Sequence, residues 1–219
     1  MKRLALIHTV LLLAEMFKKK LSVSYPCLQS FHVVDESLIQ ELMASGGVMT
    51  PGLVRRLAAQ AGLARDAGAE VILFTCSSTS PAVDYIRPLS DVPIIKIDDP
   101  LAERAVLTGE RIGVLCTAKT TVLPSQNLIR EHAARLGRKV DIRARLESEA
   151  FEAIMAGDKV RHDEMVIRAA IELSRECDVI VLAQASMAHL VPELAKRIPI
   201  PVLAGPDLCV AALAGYLKD

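Results

Sequence analysis

The chain has no tryptophan, and phenylalanine and tyrosine make up only 3% of its 219 residues. Side chains on which nucleic-acid bases stack are therefore scarce. There is no excess of charge of either sign, with 26 Lys and Arg against 26 Asp and Glu. That balance removes the electrostatic case for a nucleic acid or an acidic membrane as partner. The one basic run, Lys18 to Lys20, reads as a solvated helix end. No apolar run approaches the roughly 18 residues needed to span a bilayer. The five cysteines are an odd number without a CxxC or metal-ligand spacing, which points to a reducing cytoplasm rather than a disulfide framework. No P-loop, GxGxxG or HExxH occurs, nor a Ser-His-Asp order, so nucleotide and metal chemistry find no foothold. The opening Lys2-Arg3 followed by Leu4 to Ala14 imitates a signal peptide only loosely. It contains His8 and Thr9 and lacks a small-residue cleavage pattern.

What is present is a globular composition, 52% hydrophobic and 24% charged, in a chain long enough to bury a core. The sequence also repeats. With a shift of 108 positions, Arg3–Thr9 lies over Arg111–Thr117, Glu70–Ser78 over Asp178–Ser186, and Val92–Ile95 over Ile200–Leu203, without a gap. Two similar halves make Cys76 and Gln184 mirror partners, and His8 and Cys116 likewise.

Short runs rich in Val, Ile and Leu alternate with helical patterns. The runs are Leu4–Ile7, Val71–Phe74, Pro93–Ile97, Ile112–Leu115, Val179–Leu182 and Ile200–Leu203. Continuous apolar runs without polar alternation are strands covered on both faces. Weaker strands are expected at Ser30–Val34 and Val140–Leu146. Thr50-Pro51 opens a helix that ends before Gly68, and residues 147–177 read as two helices broken at Gly157-Asp158. Strands separated by helices of this length predict right-handed βαβ units and parallel sheets. The expected fold is α/β, with two pseudo-symmetric lobes. Each lobe is an approximately four-stranded parallel sheet flanked by helices, and the active site lies in the cleft between lobes. The first lobe is assigned residues 1–98 plus 205–219, the last stretch as a helix packing back on it; the second is assigned 99–204.

Ligands of open parallel sheets bind beyond the carboxyl ends of the strands. That rule selects His8 and Thr9, Cys76 to Thr79, Cys116 to Thr121, and Gln184 to Ser186. A cysteine at a helix N-terminus has its thiolate favoured by the helix dipole; the competing reading of Cys76 is an inert buried thiol. Ser77, Ser78, Thr117, Thr120, Thr121 and Ser186 are candidate carboxylate ligands, although Thr120 or Thr121 would also serve as an ordinary helix cap. Gln184 has no proton to exchange and can only orient a ligand by hydrogen bonds. His8 is either a general base or a structural hydrogen-bonding group. No arginine falls in these loops.

The ordered set Ile7–Thr9, Leu73–Ser78, Gly113–Thr121 and Val179–Met187, together with the repeat, resembles the aspartate/glutamate/hydantoin racemase superfamily over nearly the whole chain. The resemblance implies a cytoplasmic enzyme without metal or organic cofactor, a small carboxylate as substrate, and a homodimer, as is common among such enzymes. In the racemases of this family, one thiol removes the proton α to a carboxylate and a second, on the opposite face, returns it. Cys76 matches the first thiol. At the second, this chain has Ala183-Gln184-Ala185-Ser186-Met187, so two-thiol racemisation is in doubt. With Cys76 matched to the family thiol and the strand-end reading beside it, the expected catalytic residues are Cys76 and His8, with Thr9, Ser77, Ser78, Thr117, Thr120, Thr121, Gln184 and Ser186 binding substrate. Single-thiol decarboxylation, cis-trans isomerisation of a diacid, Cys116 as the second base, and carboxylate binding without catalysis stay open beside it.

Overall fold

The computed structural model describes residues 2–218. Among them, eight strands form two four-stranded sheets, ordered β2-β1-β3-β4 and β6-β5-β7-β8. The first sheet comprises β1 (Leu4–His8), β2 (Ser30–Val34), β3 (Val71–Phe74) and β4 (Ile94–Lys96). The second comprises β5 (Arg111–Cys116), β6 (Asp141–Leu146), β7 (Val179–Leu182) and β8 (Val202–Ala204). Every pairing is parallel. The apolar runs are these strands, and the two sheets repeat one order, so the α/β expectation of two doubled sheets is met. The chain divides into two compact units, one holding the residues up to Ile97 together with those from Pro206 onward, the other Asp98–Gly205.

Strands β1, β3 and β4 are buried along their whole length, as parallel strands sandwiched by helices must be. The weaker signals at β2 and β6 have a physical origin, since both are edge strands and half exposed. The β6 edge is guarded by charge. Arg145 bonds Glu147 and Glu172 at 2.6 Å, and Arg143 pairs with Glu176. Charged edge residues of this kind discourage strand addition.

In the first unit, α1 (Leu11–Ser24), α2 (Ser37–Ala44), α3 (Pro51–Asp66) and α4 (Ser80–Ile86) connect the strands. Thr50 caps α3 by accepting the Leu53 amide at 3.2 Å, with Pro51 at its first position. Gly68, at φ +90°, stops it. Leu38, Leu42, Leu53, Leu57, Ile72, Phe74 and Ile86 pack as the core between these helices and the sheet. The expected final helix is shorter than the sequence suggested. Helix α10 covers Gly205–Ala212 and gives way to a single 3-10 turn at Leu213–Gly215. The tail is tied to this unit by Tyr25 Oη donating to the Val210 carbonyl at 2.8 Å and by the Lys2 amide donating to the Leu217 carbonyl at 3.2 Å.

In the second unit, α5 (Asp99–Thr108), α6 (Lys119–Arg135), α7 (Ser148–Met155), α8 (Lys159–Ser174) and α9 (Val191–Arg197) play the same part. The break at Gly157-Asp158 is real, with Gly157 at φ +82° and Asp158 capping α8 through the Arg161 amide. Ile180 of β7, Cys177 after α8 and Leu173 of α8 crowd β5 so closely that a Cβ on Gly113 would sit 2.7 Å from Ile180 Cδ1, 2.9 Å from Cys177 Sγ and 3.0 Å from Leu173 Cδ2. Its repeat partner in the first unit, Ala5, has room for the methyl group. Gly113→Ala is therefore expected to overpack this site and cost about 1–3 kcal/mol. Chemical denaturation checks this, and an unchanged midpoint would show that these neighbours yield freely.

Candidate active site

Parallel pairing brings the ends of β1 and β3 side by side. The last register pair is Ile7 with Phe74, and two residues beyond it come Thr9 and Cys76. The junction is locked by Thr75. Its amide donates to the Ile7 carbonyl at 3.1 Å, and its hydroxyl lies 2.8 Å from His8 Nδ1. His8 Nε2 in turn lies 2.8 Å from His32 Nδ1 on β2, the two rings tilted only 13° from parallel. His8 is completely buried. Burial, and then the neighbouring His32, push its pKa down to about 3, while burial followed by the Lys18 charge also lowers His32. Both His8 nitrogens are thus engaged, by Thr75 and by His32, and burial favours the neutral ring.

Cys76 is half-buried and reduced, as are all five cysteines. It does not open a helix. Helix α4 starts at Ser80, and Cys76 stands three residues before its N-cap, Thr79. The Cys76 carbonyl closes the turn by accepting from the Thr79 amide at 3.2 Å, Thr79 Oγ1 at 3.1 Å and Ser80 Oγ at 3.3 Å. Ser77 and Ser78 are buried beside it. Thr9 is buried too, and its Oγ1 has no hydrogen-bond partner among the described residues. A buried hydroxyl without a partner is costly.

At the carboxyl ends of the second sheet, the Gln184 side chain bonds the neighbouring loop. Its Oε1 accepts from the Thr117 amide at 2.6 Å, Thr117 Oγ1 at 3.2 Å and the Ala118 amide at 3.2 Å. The carbonyl of the side chain is spent on the protein's own loop. The N-cap of α6 is Ala118, with no side-chain cap, so neither Thr120 nor Thr121 caps it. Thr121 and Thr117 are buried, and Lys119 faces solvent. Cys116 is fully buried, and burial reinforced by Asp98 pushes its thiol up to about 12. It is in no position to act as a base near neutral pH.

Two groups escaped the sequence reading. Asp163 on α8 joins three side chains: it lies 2.7 Å from His162 Nδ1 and 2.8 Å from His189 Nε2, and it pairs with Lys159. Its burial would raise its pKa, but the three partners outweigh that and hold it at about 2. His189 Nδ1 lies 2.9 Å from the Ser186 carbonyl, so this cluster anchors the loop that carries Ser186. The contact is to the backbone and not to Ser186 Oγ, so it is no hydrolase triad. Lys96, inside the run read as purely apolar, is 3% exposed and pairs with Asp84 of α4 at 2.7 Å. A lysine in an otherwise apolar strand was the available signal. For His32 the signal was its place on the same face as His8, which becomes readable only once the strand register is known. Among the described residues no three His, Cys, Asp or Glu side chains gather as a metal site, and no helix is long and apolar enough to cross a membrane.

None of the curated proteins matches the sequence. Solved structures do match in fold. A glutamate racemase isoform from Bacillus anthracis is 12% identical, with a TM-score of 0.77 over 99% of this chain and 81% of its own. A putative Asp/Glu racemase from Yersinia pestis is 20% identical, with a TM-score of 0.71 over 99% of each chain. Allantoin racemase from Klebsiella pneumoniae is 17% identical, with a TM-score of 0.71 over 98% of this chain and 88% of its own. The family model for Asp/Glu/hydantoin racemases matches residues 33–213, which takes in β3 to β8 and the Cys76 and Gln184 loops, and the chain therefore belongs to that family.

Proposed function

We propose that this protein is a cofactor-independent enzyme that moves a proton at the carbon α to the carboxylate of a small acid, of amino-acid or hydantoin type, with Cys76 as the acid/base group. The observation that carries the reading is the placement of Cys76. It is the partly exposed thiol at the carboxyl end of a central parallel strand, beside the unpartnered hydroxyl of Thr9. The Cys76 thiolate takes the α-proton and becomes the thiol, and the electron pair of the C–H bond passes into the carboxylate as an enediolate. Return of a proton to that carbon completes the cycle. Thr9, Ser77 and Ser78 supply hydroxyls for the substrate in this reading, with Thr117, Thr120, Thr121 and Ser186 as the further ligands. His8 supports the Thr75 junction and does not act as the second base. Five reduced cysteines fit a cytoplasmic enzyme, and a homodimer is the proposed assembly.

One observation favours a second reading. Gln184 stands at the repeat position of Cys76 with its carbonyl committed to Thr117 and Ala118, and Cys116 is held as a thiol. With one competent thiol, a reaction that needs a single proton donor becomes attractive. In decarboxylation, the bond to a departing CO₂ breaks and the resulting carbanion takes its proton from Cys76. The two readings share the thiol and differ in the bond that breaks.

Cys76→Ser is expected to keep the fold and to lower turnover by at least about 10²–10⁴-fold. Proton NMR in D₂O reads this on D- and L-amino acids, hydantoins and substituted malonates. An inverted centre marks racemisation and a lost carboxylate marks decarboxylation; conversion undiminished in the variant would remove Cys76 from the mechanism. Gln184→Cys restores a thiol at the repeat position and is expected to raise racemisation, measured as loss of optical activity. If the folded variant gains nothing, the decarboxylation reading takes precedence.

A further inference from the structure

A run of side-chain hydrogen bonds crosses the first sheet and ends next to Cys76. His32 Nδ1 lies 2.8 Å from His8 Nε2, His8 Nδ1 lies 2.8 Å from Thr75 Oγ1, and Thr75 Oγ1 donates to the Ile7 carbonyl at 3.1 Å. His32 is on β2, His8 on β1, and Thr75 follows β3 directly before Cys76.

The second sheet shows what the backbone does at the same place. There the Ala183 amide donates to the Leu115 carbonyl at 3.0 Å, as the Thr75 amide donates to the Ile7 carbonyl at 3.1 Å. By the repeat, Ala183 stands for Thr75, and Cys116 for His8. The register sets Ala144 opposite Val114, where His32 stands opposite Leu6. The second sheet thus closes this junction through the backbone, with alanine at both ends of the run. The added side chains fall on the sheet that holds Cys76.

The protons in this run have one best arrangement. A hydroxyl carries one proton, and a carbonyl only accepts. With the Thr75 hydroxyl donating to Ile7, its oxygen is left to accept, so His8 Nδ1 must donate to it. His8 Nε2 is then bare and accepts from His32 Nδ1–H. The reverse arrangement, with Thr75 donating to His8, makes two of these bonds instead of three. Which imidazole nitrogen carries the proton is set by the bond that the other one makes, so His32 sets the direction of the whole run. A charged His32 also carries Nδ1–H, and the direction does not depend on its charge.

We infer that His32 is a positioning residue for Cys76: its Nδ1–H holds His8 in the Nδ1–H tautomer, and His8 holds Thr75 at the start of the Cys76 loop. His32 acts through these two residues and touches no substrate. This role rests on the reading of Cys76 as the acid/base thiol.

The test uses the full chain and needs no known substrate. Heteronuclear NMR of the imidazole nitrogens reads the His8 tautomer. Iodoacetamide with peptide mass mapping reads the alkylation rate of Cys76 apart from that of exposed Cys27. His32→Asn keeps an amide N–H where Nδ1 stood, and His32→Leu removes the donor. Wild type and His32→Asn are expected to show His8 protonated at Nδ1 and bare at Nε2, with Cys76 rates that agree within about 2-fold. His32→Leu is expected to lose that tautomer and to alkylate Cys76 about 3-fold faster or more, as loss of one ordinary hydrogen bond loosens the loop. His8 protonated at Nε2 in the wild type overturns the inference. So does an unchanged or slower Cys76 rate in folded His32→Leu, or a rate that His32→Asn does not restore, since His32 would then only add stability. Should His32→Leu not fold, Thr75→Val removes the hydroxyl at nearly constant shape and must give the same faster alkylation; an unchanged rate there overturns the inference as well. Turnover of Cys76→Ser is measured separately. If it is undiminished, the thiol reading falls, and the tautomer and alkylation results still decide what His32 does to the loop.

Discussion

Everything that gives this chain a site follows from one constraint, the parallel pairing of every strand. Parallel strands need crossovers, so each strand is followed by a helix and each loop between them leaves from the same edge of its sheet. The polar residues selected at the ends of Leu4–His8, Val71–Phe74, Arg111–Cys116 and Val179–Leu182 therefore gather at one edge of their own sheet without any further instruction. The register Ile7 with Phe74 sets Thr9 beside Cys76, and Thr75 fixes that junction through the Ile7 carbonyl and His8. The price is that central strands are dry on both faces, and the first polar residues beyond them are nearly as buried as the core.

Burial of that kind decides which candidate groups retain chemistry. Burial, and then the neighbouring His32, favour the neutral form of His8. Cys116 is disabled from the other side, since burial and Asp98 keep its proton on. Cys76 stands two residues beyond the end of β3 in a half-buried loop, whereas Cys116 is the last residue of β5 and fully buried. The contrast between the two cysteines comes from solvent access and not from residue type.

Which parts could be read in advance follows from how far apart the interacting residues lie in the chain. The apolar runs, the helix start at Thr50-Pro51 and the break at Gly157-Asp158 are local signals, and the strands and helices form where those signals fall. The 108-residue repeat turned local signals into architecture, because it required the second sheet to copy the first. The internal partners of the site were not local. His8 meets His32 only through β1–β2 pairing, Asp163 meets His189 across 26 positions, and Gln184 meets Thr117 across 67. The sequence marked Gln184 as a departure from a thiol. Only the fold revealed that its carbonyl is already engaged.

That engagement makes the two halves chemically unlike in a deeper sense than the loss of one thiol. At the first sheet the loop leaves polar capacity open: Thr9 Oγ1 has no partner among the described residues and Cys76 is partly exposed. At the second, Gln184 satisfies two backbone amides and a hydroxyl at once. A cysteine there has neither the reach nor the acceptor strength to do this. Exchanging Gln184 for a thiol therefore changes two things together, adding an acid/base group and releasing the Thr117 and Ala118 donors to bind something else. The duplicated architecture thus carries two different strand-end loops, one with Cys76 partly exposed and one tied together by the Gln184 carbonyl.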